Sequence, residues 1–435
     1  MVRARGLTVL TVATLFAFAC GGTTPSDTSK GEISIGVDLP ISGAEGSQGL
    51  PTLNGVKYAV QLKGSIGGYK LTVDAKDDSV NGTHDAQKGA QNVRDLISNS
   101  KVLGMIGPFN SSVARAEIPI TNAANLTMIS PANTNQCLTK NIYIPVALGA
   151  PKDVTCKDAG LPSPAELRPN GKNNYFRVPT TDDLQGPALA DYLYDQLKLT
   201  SVGVLSDNEV YGKGIADTFA ARFVKKGGKI AGRQDFDAKN TNDFKTFLQR
   251  FKSQGAQAVF FGGVTANKGC VIRNQMAGIF DPKTPFLGGD GIAQDPTCVK
   301  DAGSNNQAIY GAVATVDPSK VPTAASSISG FQKAFPNKSD YGSYTILAMD
   351  ATNILIAAID RAIKASNGGM PTRDQVRAEV AKTSNYQGAT GVISFDANGD
   401  TSAKIVSIYQ SPTSGKSEDD WAWSYAVDFG KTPLT

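Results

Sequence analysis

The sequence is poor in histidine: His84 is the only one among 435 residues. General acid–base and nucleophilic catalysis most often use histidine, and the motifs GxSxG, GxxxxGKS/T and HExxH are also absent from the sequence. Asp77 and Asp78 are the obvious candidates for a carboxylate pair, but neighbouring residues of a strand point to opposite faces and cannot flank one bond. We therefore expect a protein that is not an enzyme, with no cofactor and no metal site.

Clustered positive charge is also missing. The formal net charge is +4 at pH 7, and removal of Arg3 and Arg5 with a cleaved leader would leave +2, which is 4 minus 2. Nucleic-acid binding depends on grouped lysine and arginine side chains that neutralise phosphates. The charge balance therefore excludes a nucleic-acid partner.

The sequence has no apolar run that would comfortably span a bilayer, and an uncharged, largely apolar stretch lies near the N-terminus, from Gly6 to Ala19. Arg3 and Arg5 precede this stretch, and small residues end it. This pattern predicts an export signal over residues 1–19. We therefore expect an exported protein.

Cys20 comes directly after Ala17-Phe18-Ala19 and resembles the acylated cysteine of the bacterial lipobox, although leucine is more usual at the position of Ala17. An ordinary leader followed by an incidental cysteine is the alternative. Residues 20–30 have the composition of a flexible tether. We expect a soluble body held by a lipid anchor on the outer face of the bacterial cytoplasmic membrane.

Besides Cys20, four cysteines lie in the mature chain. An even number in an exported protein favours disulfides, and three pairings are open. Proximity along the chain favours pairing Cys137 with Cys156. The same argument pairs Cys270 with Cys298. A zinc site is the alternative, but there is no CxxC pair and His84 is distant in the sequence.

Strand-like and helix-like segments alternate from residue 31 onward. EISIGVDL, KLTVDA, VLGMIGPF and LTMIS have the composition of buried strands, and segments with helical spacing fall between them. A second series of the same kind begins at YFRV. The alternation predicts an α/β fold of two lobes, each with a doubly wound parallel sheet and helices on both faces.

Two segments depart from this alternation. Residues 136–172 form an irregular block with several prolines, and we expect a loop pinned by the first disulfide. GVISFDANGDTSAKIVSIYQ predicts two strands joined by an Asn-Gly-Asp turn. Asp396, Asn398 and Asp400 have the spacing that opens a calcium loop, but the flanking helices are missing, which favours the hairpin.

Several stretches, in collinear order, resemble one family. They are ISIGVDLPISG, DDSVNGTHDAQKGAQNVRDLI, VLGMIGPFNSSVARAEIPITNAANLTMISPANTN, YFRVPTTDDLQGPALADYL, SVGVLSDNEVYGKGIADTF and FDANGD. Together they resemble the leucine/isoleucine/valine-binding family of type I periplasmic binding proteins, over nearly the whole mature chain. The resemblance implies two lobes, joined by a multi-strand hinge, that close over a small ligand and deliver it to an ABC permease.

The resemblance also implies where the chain crosses between the lobes. The N-terminal lobe would comprise residues 31–181 and 318–403, and the C-terminal lobe residues 182–317 and 404–435. The hinge would lie at these crossings. We expect a monomer that binds one small molecule.

In this family, the carboxylate of the bound amino acid contacts a hydroxyl group and backbone N–H groups at a helix N-terminus. The residue that carries this hydroxyl corresponds to Ser111 in GPFNSS. Further carboxylate contacts, from a small residue and a hydroxyl two positions later, fall on Ala132 and Thr134 in SPANTNQC. A strand-end turn with a helix cap is the alternative for that stretch.

The family's acceptor for the ammonium group falls on Asp290 in PFLGGDG, one carbon shorter than the usual glutamate. An aspartate in a glycine-rich turn is the alternative. Both ends of a zwitterion need partners, because an unpaired buried charge is costly.

The family's aromatic positions are only partly kept. Tyr211 matches a tyrosine that packs on the ligand, whereas Gln48 and Val264 stand where relatives have tyrosines. A phenylalanine near the hinge corresponds to Tyr341 or Tyr344. The pocket therefore differs in size and polarity from that of the relatives.

The implied function is capture of a small zwitterionic ligand, with an amino acid of the branched-chain type as the first expectation. Amides and small aromatic or carboxylic acids are alternative ligands. A sensor that reports a ligand without transporting it is an alternative role, because one fold serves several functions.

Overall fold

The computed structural model describes Met1, residues 30–411 and residues 421–434. Residues 2–29, with most of the predicted export signal, Cys20 and nearly all of the predicted tether, lie outside the described residues. Within the described residues, no helix has both the length and the apolar character needed to cross a membrane.

The first part of the chain alternates strands and helices, as the sequence predicts. Its strands are β1 (Glu32–Leu39), β2 (Ser65–Ile66), β3 (Tyr69–Asp77), β4 (Ser79–Val80), β5 (Thr83–His84), β6 (Val102–Ile106), β7 (Thr127–Ser130), β8 (Ile142–Ile144), β9 (Val154–Thr155) and β10 (Tyr175–Arg177). Its helices are α1 (Gly46–Lys63), α2 (Ala86–Ser98) and α3 (Ser111–Ala123).

The first sheet has the strand order β10-β7-β6-β1-β3-β2 and is parallel except between β2 and β3. In β1, Ile33, Ile35 and Val37 are fully buried, as expected for a parallel strand covered on both faces. Helix α1 packs on one face, and α2 and α3 pack on the other. The loops after β6 and β7 therefore meet at one edge of the sheet.

The second part continues the alternation. Its strands are β11 (Ser201–Ser206), β12 (Lys229–Asp235), β13 (Ala258–Gly262), β14 (Phe286–Gly288), β15 (Ile309–Val313), β16 (Tyr386–Gly388), β17 (Gly391–Ile393), β18 (Ile405–Gln410) and β19 (Ala422–Asp428). Its helices are α4 (Asp182–Asp191), α5 (Val210–Lys225), α6 (Lys245–Ser253), α7 (Gly269–Gln275), α8 (Pro296–Asp301), α9 (Ala324–Ala334), α10 (Thr345–Ala365) and α11 (Arg373–Ala381).

The second sheet has the order β12-β11-β13-β14-β15-β18-β19, with β18 and β19 antiparallel to their neighbours. On one face, Phe219 of α5 stacks on Phe260 of β13, with ring centroids 3.9 Å apart. On the other face, Phe251 of α6 lies over Gly203, where an added Cβ would come within 2.3 Å of the ring. Glycine is required there because the helix packs directly on the strand.

The chain crosses between the two sheets more than once. It leaves the first sheet after β10, and α10 later packs against α1 of the first lobe. The chain then returns to the second sheet as β18. The predicted fold class, two doubly wound lobes joined by a multi-strand hinge, is confirmed. The residue bounds of the lobes stay a prediction.

The hairpin predicted for the segment GVISFDANGDTSAKIVSIYQ is wrong. β17 pairs with β16 in a small antiparallel sheet, whereas β18 pairs with β15 and β19 in the second sheet. The turn itself forms, but it closes only a bridge between Phe395 and Thr401. The strands separate because Val406 and Ile408 fill the core of the second lobe.

The structure pairs the cysteines as proximity along the chain predicts. Cys137 is bonded to Cys156 and Cys270 to Cys298, with Cα atoms 5.8 and 5.0 Å apart. The first disulfide closes part of the irregular block, in which β8 and β9 form an antiparallel pair. The second joins α7 to α8.

The double variant Cys137→Ser/Cys156→Ser is expected to unfold at a lower temperature than the wild type. The two cysteines are 19 residues apart, and a closed loop of that size contributes about 3 kcal/mol through the unfolded chain. Calorimetric unfolding measures the change. Peptide mapping without reductant should show the same pairing, and a peptide joining Cys137 to Cys270 would contradict it.

Candidate functional site

The residues predicted to hold a ligand come together between the two lobes. One cavity of about 20 Å³ is lined by Phe109, Asn110, Ser111, Ala132, Thr134, Tyr211, Val264, Asp290, Gly291 and Tyr344. Gln48 lines an adjoining cavity of about 10 Å³, which shares Phe109, Val264 and Gly291 with the first. All seven predicted residues are buried. The lobes are therefore closed on each other at this point.

Ser111 is the first residue of α3 and follows the loop after β6. Its hydroxyl oxygen accepts a hydrogen bond from the Asn135 amide at 3.4 Å. The first amides of a helix have no partner within the helix, and together with the helix dipole they favour an anion. The position suits the carboxylate contact that the resemblance predicts.

The binding loop, residues 130–137, follows β7 and carries Ala132 and Thr134. Ser130 organises it, because its hydroxyl oxygen accepts hydrogen bonds from the amides of Ala132 at 3.2 Å and Asn133 at 2.9 Å. With its amide engaged, Ala132 can offer a ligand its carbonyl, which suits an ammonium group and not a carboxylate. The carboxylate contacts predicted for Ala132 and Thr134 stay predictions, and the engaged amide of Ala132 leaves its carbonyl as the freer backbone group.

A buried arginine holds the binding loop from behind. Arg177, at the end of β10, is fully buried and donates to Asp400 Oδ1 at 2.6 Å and to Asn135 O at 2.7 Å. It also donates to Thr139 Oγ1. Burial opposes ionisation of Asp400, but the charge of Arg177 holds the pKa of Asp400 below its ordinary value. This ion pair joins β10, the binding loop and the Asn-Gly-Asp turn.

Asp290 follows β14 and is only 2% exposed. Its amide donates to Gln185 Oε1 at 2.8 Å, and its carbonyl accepts from the Tyr344 hydroxyl at 3.0 Å. Burial raises the pKa of its carboxyl group to about 6, although the nearby polar side chains of Tyr211, Gln185 and Tyr344 act in the opposite direction. Among the described residues, Oδ1 has no hydrogen-bond partner. This oxygen is an acceptor in need of a donor, and a cation would satisfy it best.

The aromatic residues of the site come from both lobes. Tyr211 lies in the first turn of α5, and its hydroxyl oxygen accepts from the Gly291 amide at 3.0 Å. Tyr344 packs on Phe109 with ring centroids 4.7 Å apart. Tyr341 belongs to a separate cluster of aromatic residues. Of the two candidates near the hinge, Tyr344 is the one that lines the cavity.

Sequence reasoning missed several residues of the site. Asp182 is fully buried, and neither of its carboxyl oxygens has a hydrogen-bond partner within the part of the chain that the structure describes. Burial, followed by the charge of Asp290, raises its pKa well above the ordinary value. Phe109 and Asn110, which precede Ser111, were also missed. Asp182 and Gln185 lie in DDLQG, a stretch that the resemblance already includes, so a signal for them was present.

The irregular block reaches the second lobe and forms what we call the clasp, defined by Tyr143 and Ala147 of the block with Asp217 and Lys225 of α5. The Tyr143 hydroxyl donates to Asp217 Oδ2 at 2.7 Å. Lys225 Nζ donates to the carbonyl oxygen of Ala147 at 2.9 Å. The clasp joins the lobes outside the cavity.

Comparison with known proteins decides the family. A family model described as periplasmic binding protein matches residues 32–416. The chain belongs to the periplasmic binding protein family. The fold is that of the type I periplasmic binding proteins, which bind substrates and are not enzymes. Family membership also makes it an exported, extracytoplasmic protein.

Relatives cover nearly the whole chain. The Leu/Ile/Val-binding protein homolog 2 of Brucella abortus (strain 2308) is 28% identical over 382 residues, 86% of this chain and 89% of the relative. The leucine binding protein LivK of Thermotoga maritima has a similar structure, with a TM-score of 0.74 at 22% identity over 92% of this chain and 99% of that one. LivJ of Streptococcus pneumoniae, in complex with isoleucine, has a TM-score of 0.72 at 23% identity, with coverage of 91% and 99%.

Replacing Arg177 with methionine is expected to lower the free energy of unfolding by about 3–5 kcal/mol, because Asp400 would stay buried without a counter-charge. Urea denaturation followed by circular dichroism measures the change. The double variant Arg177→Met/Asp400→Leu should regain part of the loss, because no unpaired charge remains. A single variant as stable as the wild type would contradict the proposed role of the ion pair.

Proposed function

We propose that this protein is lipid-anchored outside the cytoplasm, captures an amino acid between its lobes and delivers it to an ABC permease. The observation that carries the proposal is the convergence, in one buried cavity, of the helix start at Ser111 and the unpaired carboxylate oxygen of Asp290. The names of the relatives support a branched-chain amino acid as the first ligand to test.

The first lobe supplies the contacts for a carboxylate. Ser111 offers its hydroxyl and the free amides at the start of α3, and Thr134 adds a second hydroxyl from the binding loop. Both groups are uncharged donors in fixed positions. Such donors bind an anion without requiring a buried positive side chain, which would itself have to be desolvated.

The second lobe and the hinge supply acceptors for an ammonium group. Asp290 presents an oxygen that has no partner among the described residues, and Asp182 adds a second buried carboxyl group whose raised pKa opposes its ionisation. The carbonyl of Ala132, from the first lobe, is a third acceptor. A simple carboxylic acid would leave Asp290 unpaired, so the site favours a zwitterion over the aromatic or carboxylic acids that are the alternative ligands.

Closure of the lobes completes the site. The Tyr344 hydroxyl donates to Asp290 O at 3.0 Å, and Asn135 Nδ2 donates to Val210 O at 2.8 Å. These contacts join the lobes directly around the cavity. An amino acid held at both ends would stabilise the closed arrangement over an open one, and a permease could recognise the closed surface. A sensor would use the same closure, so the transport role is tested separately by assays with a permease.

Calorimetric titration with a panel of amino acids, amides and small carboxylic acids should show binding of at least one amino acid. The variant Asp290→Asn should weaken that binding about 100-fold, because the ammonium group loses its counter-charge in a buried site. Asp281→Asn, an exposed aspartate of the same lobe, is the matched control. Binding of acids or amides but of no amino acid would contradict the proposal, as would an unchanged affinity in Asp290→Asn.

The affinity of the wild type for its amino acid is expected to fall as the pH drops below about 6. The pKa of Asp290 is raised by burial to about 6, so below that pH a proton occupies the carboxylate that the ammonium group needs. The affinity should fall about tenfold for each further pH unit. Titrations from about pH 4.5 to about pH 7.5 bracket the pKa of Asp290 by about one to two units on either side and measure the affinity at each pH. A profile in Asp290→Asn identical to that of the wild type would contradict it.

A further inference from the structure

The cavity that adjoins the ligand site has a polar lining. We call it the side cavity: a space of about 10 Å³ whose polar side chains are Glu45, Gln48, Thr265 and Asp295. It shares part of its lining with the cavity of Ser111 and Asp290. The side cavity is therefore the adjoining space into which an amino acid, held by its carboxylate and ammonium groups, can extend its side chain.

Two of the four polar side chains of the side cavity are already engaged. Glu45 Oε1 accepts a hydrogen bond from Asn110 Nδ2 at 2.6 Å, and Glu45 Oε2 lies 2.8 Å from His84 Nδ1. The Thr265 hydroxyl donates to the carbonyl oxygen of Gly291 at 3.3 Å. These contacts within the protein leave Gln48 and Asp295 as the groups able to select a ligand.

Gln48 supplies a donor from the first lobe. It lies in the first turn of α1, and only 6% of it is exposed. Within the part of the chain that the structure describes, its Nε2 atom has no hydrogen-bond partner. A carboxamide nitrogen carries two N–H groups, and a buried donor without an acceptor is costly. Gln48 therefore needs an acceptor from the ligand.

Asp295 supplies an acceptor from the second lobe and is only 1% exposed. Its Oδ1 atom caps α8 by accepting from the Thr297 amide at 2.9 Å, whereas its Oδ2 atom has no hydrogen-bond partner among the described residues. The disulfide between Cys270 and Cys298 joins α8 to α7 and so holds this cap in place. The cap fixes the carboxyl group and leaves one oxygen available.

The donor and the acceptor lie close enough to be contacted by one small group, because both residues line a space of only about 10 Å³. Burial raises the pKa of Asp295, and the nearby side chains of Thr265, Ser47 and Gln48 act in the opposite direction. Since Gln48 and Asp295 come from different lobes, a ligand group between them would also join the lobes.

This pair of atoms distinguishes between classes of side chain. A carboxamide oxygen accepts and a carboxamide nitrogen donates, so one carboxamide can satisfy both atoms. An aliphatic side chain would leave both unpaired. A carboxylate would meet the carboxyl group of Asp295, and an ammonium group would leave Gln48 without an acceptor. The small volume favours a short side chain.

We propose that Gln48 and Asp295 determine specificity, and that the ligand is an amino acid with a carboxamide side chain. Its side-chain oxygen would accept from Gln48 Nε2, and its side-chain nitrogen would donate to Asp295 Oδ2. This inference rests on the proposed function, since the carboxylate and ammonium groups of the ligand are those held at Ser111 and Asp290. It replaces the branched aliphatic side chain that the names of the relatives suggest.

Calorimetric titration of the wild type with ligands of matched shape tests the class of side chain. Asparagine, leucine and aspartate have nearly the same shape, and glutamine and glutamate form a longer pair. The better of the two carboxamides should bind about 100-fold more tightly than leucine and than the acid of its own shape, because the analogues leave buried polar groups unpaired. Leucine, lysine or an acid that binds as tightly as the better carboxamide would overturn the inference.

Variants test the two residues through the ratio of carboxamide to leucine affinity. Gln48→Met removes the donor at similar length, and Asp295→Asn keeps an oxygen to cap α8 while replacing the unpaired acceptor. Each should lower the ratio about tenfold, whereas a merely structural role would weaken both ligands equally. An unchanged ratio in either variant would overturn the inference. Gln87→Met, at an exposed position of α2, is the matched control and should keep the ratio of the wild type.

The same titrations separate this inference from the proposed function. If leucine binds more tightly than both carboxamides and Asp290→Asn weakens that binding, the roles of Gln48 and Asp295 are overturned and the proposed function stands. If a carboxamide amino acid is preferred and Asp290→Asn weakens it, both are supported. If no amino acid binds to the wild type, the proposed function fails and this inference fails with it.

Discussion

The ion pair between Arg177 and Asp400 is the constraint on which the site depends. A fully buried guanidinium group can be kept only if its charge and its donors all find partners, and here they find a carboxylate, a backbone carbonyl and a hydroxyl. Those partners belong to the binding loop, to Thr139 just after it, and to the turn at which the chain leaves the first lobe. One side chain thus fixes the proposed ligand contacts and one crossing of the hinge in the same position.

Much of this arrangement was predictable because it follows from order along the chain. Strands of a parallel sheet end at one edge, so Ser111 and Thr134, each placed after a strand, were expected to meet. Asp290 was expected opposite them for the same reason in the second sheet. These positions came from the resemblance together with strand periodicity, and the structure brings them to one cavity.

The parts that could not be predicted depend on contacts between distant segments. The strand after the Asn-Gly-Asp turn, β18, has the alternating pattern of a hairpin strand. It pairs with β15 of the second lobe instead, and the local sequence does not show which lobe its apolar side chains will cover. The engaged amide of Ala132 depends on the rotamer of Ser130. The role of Asp182 was hidden because an aspartate at the start of a helix has an ordinary explanation as a stabilising charge at that end.

Asp182 and Asp290 leave the closed cavity with unsatisfied polar atoms. Two buried carboxyl groups lie near each other, burial raises the pKa of both, and among the described residues each has an oxygen without a hydrogen-bond partner. A protein normally avoids this arrangement, because a buried polar group without a hydrogen bond is destabilising. A positively charged group of the ligand would remove the deficit. Selectivity and closure would then have the same physical origin, since only a ligand with that group makes the closed form favourable.

The clasp between Tyr143 and Asp217 has a kinetic consequence. It lies outside the cavity, so it makes no distinction between ligands, yet opening of the lobes must break it. Contacts of this kind raise the barrier to opening, and therefore lengthen the residence time of whatever is bound. The first disulfide anchors the block that carries Tyr143 beside the binding loop.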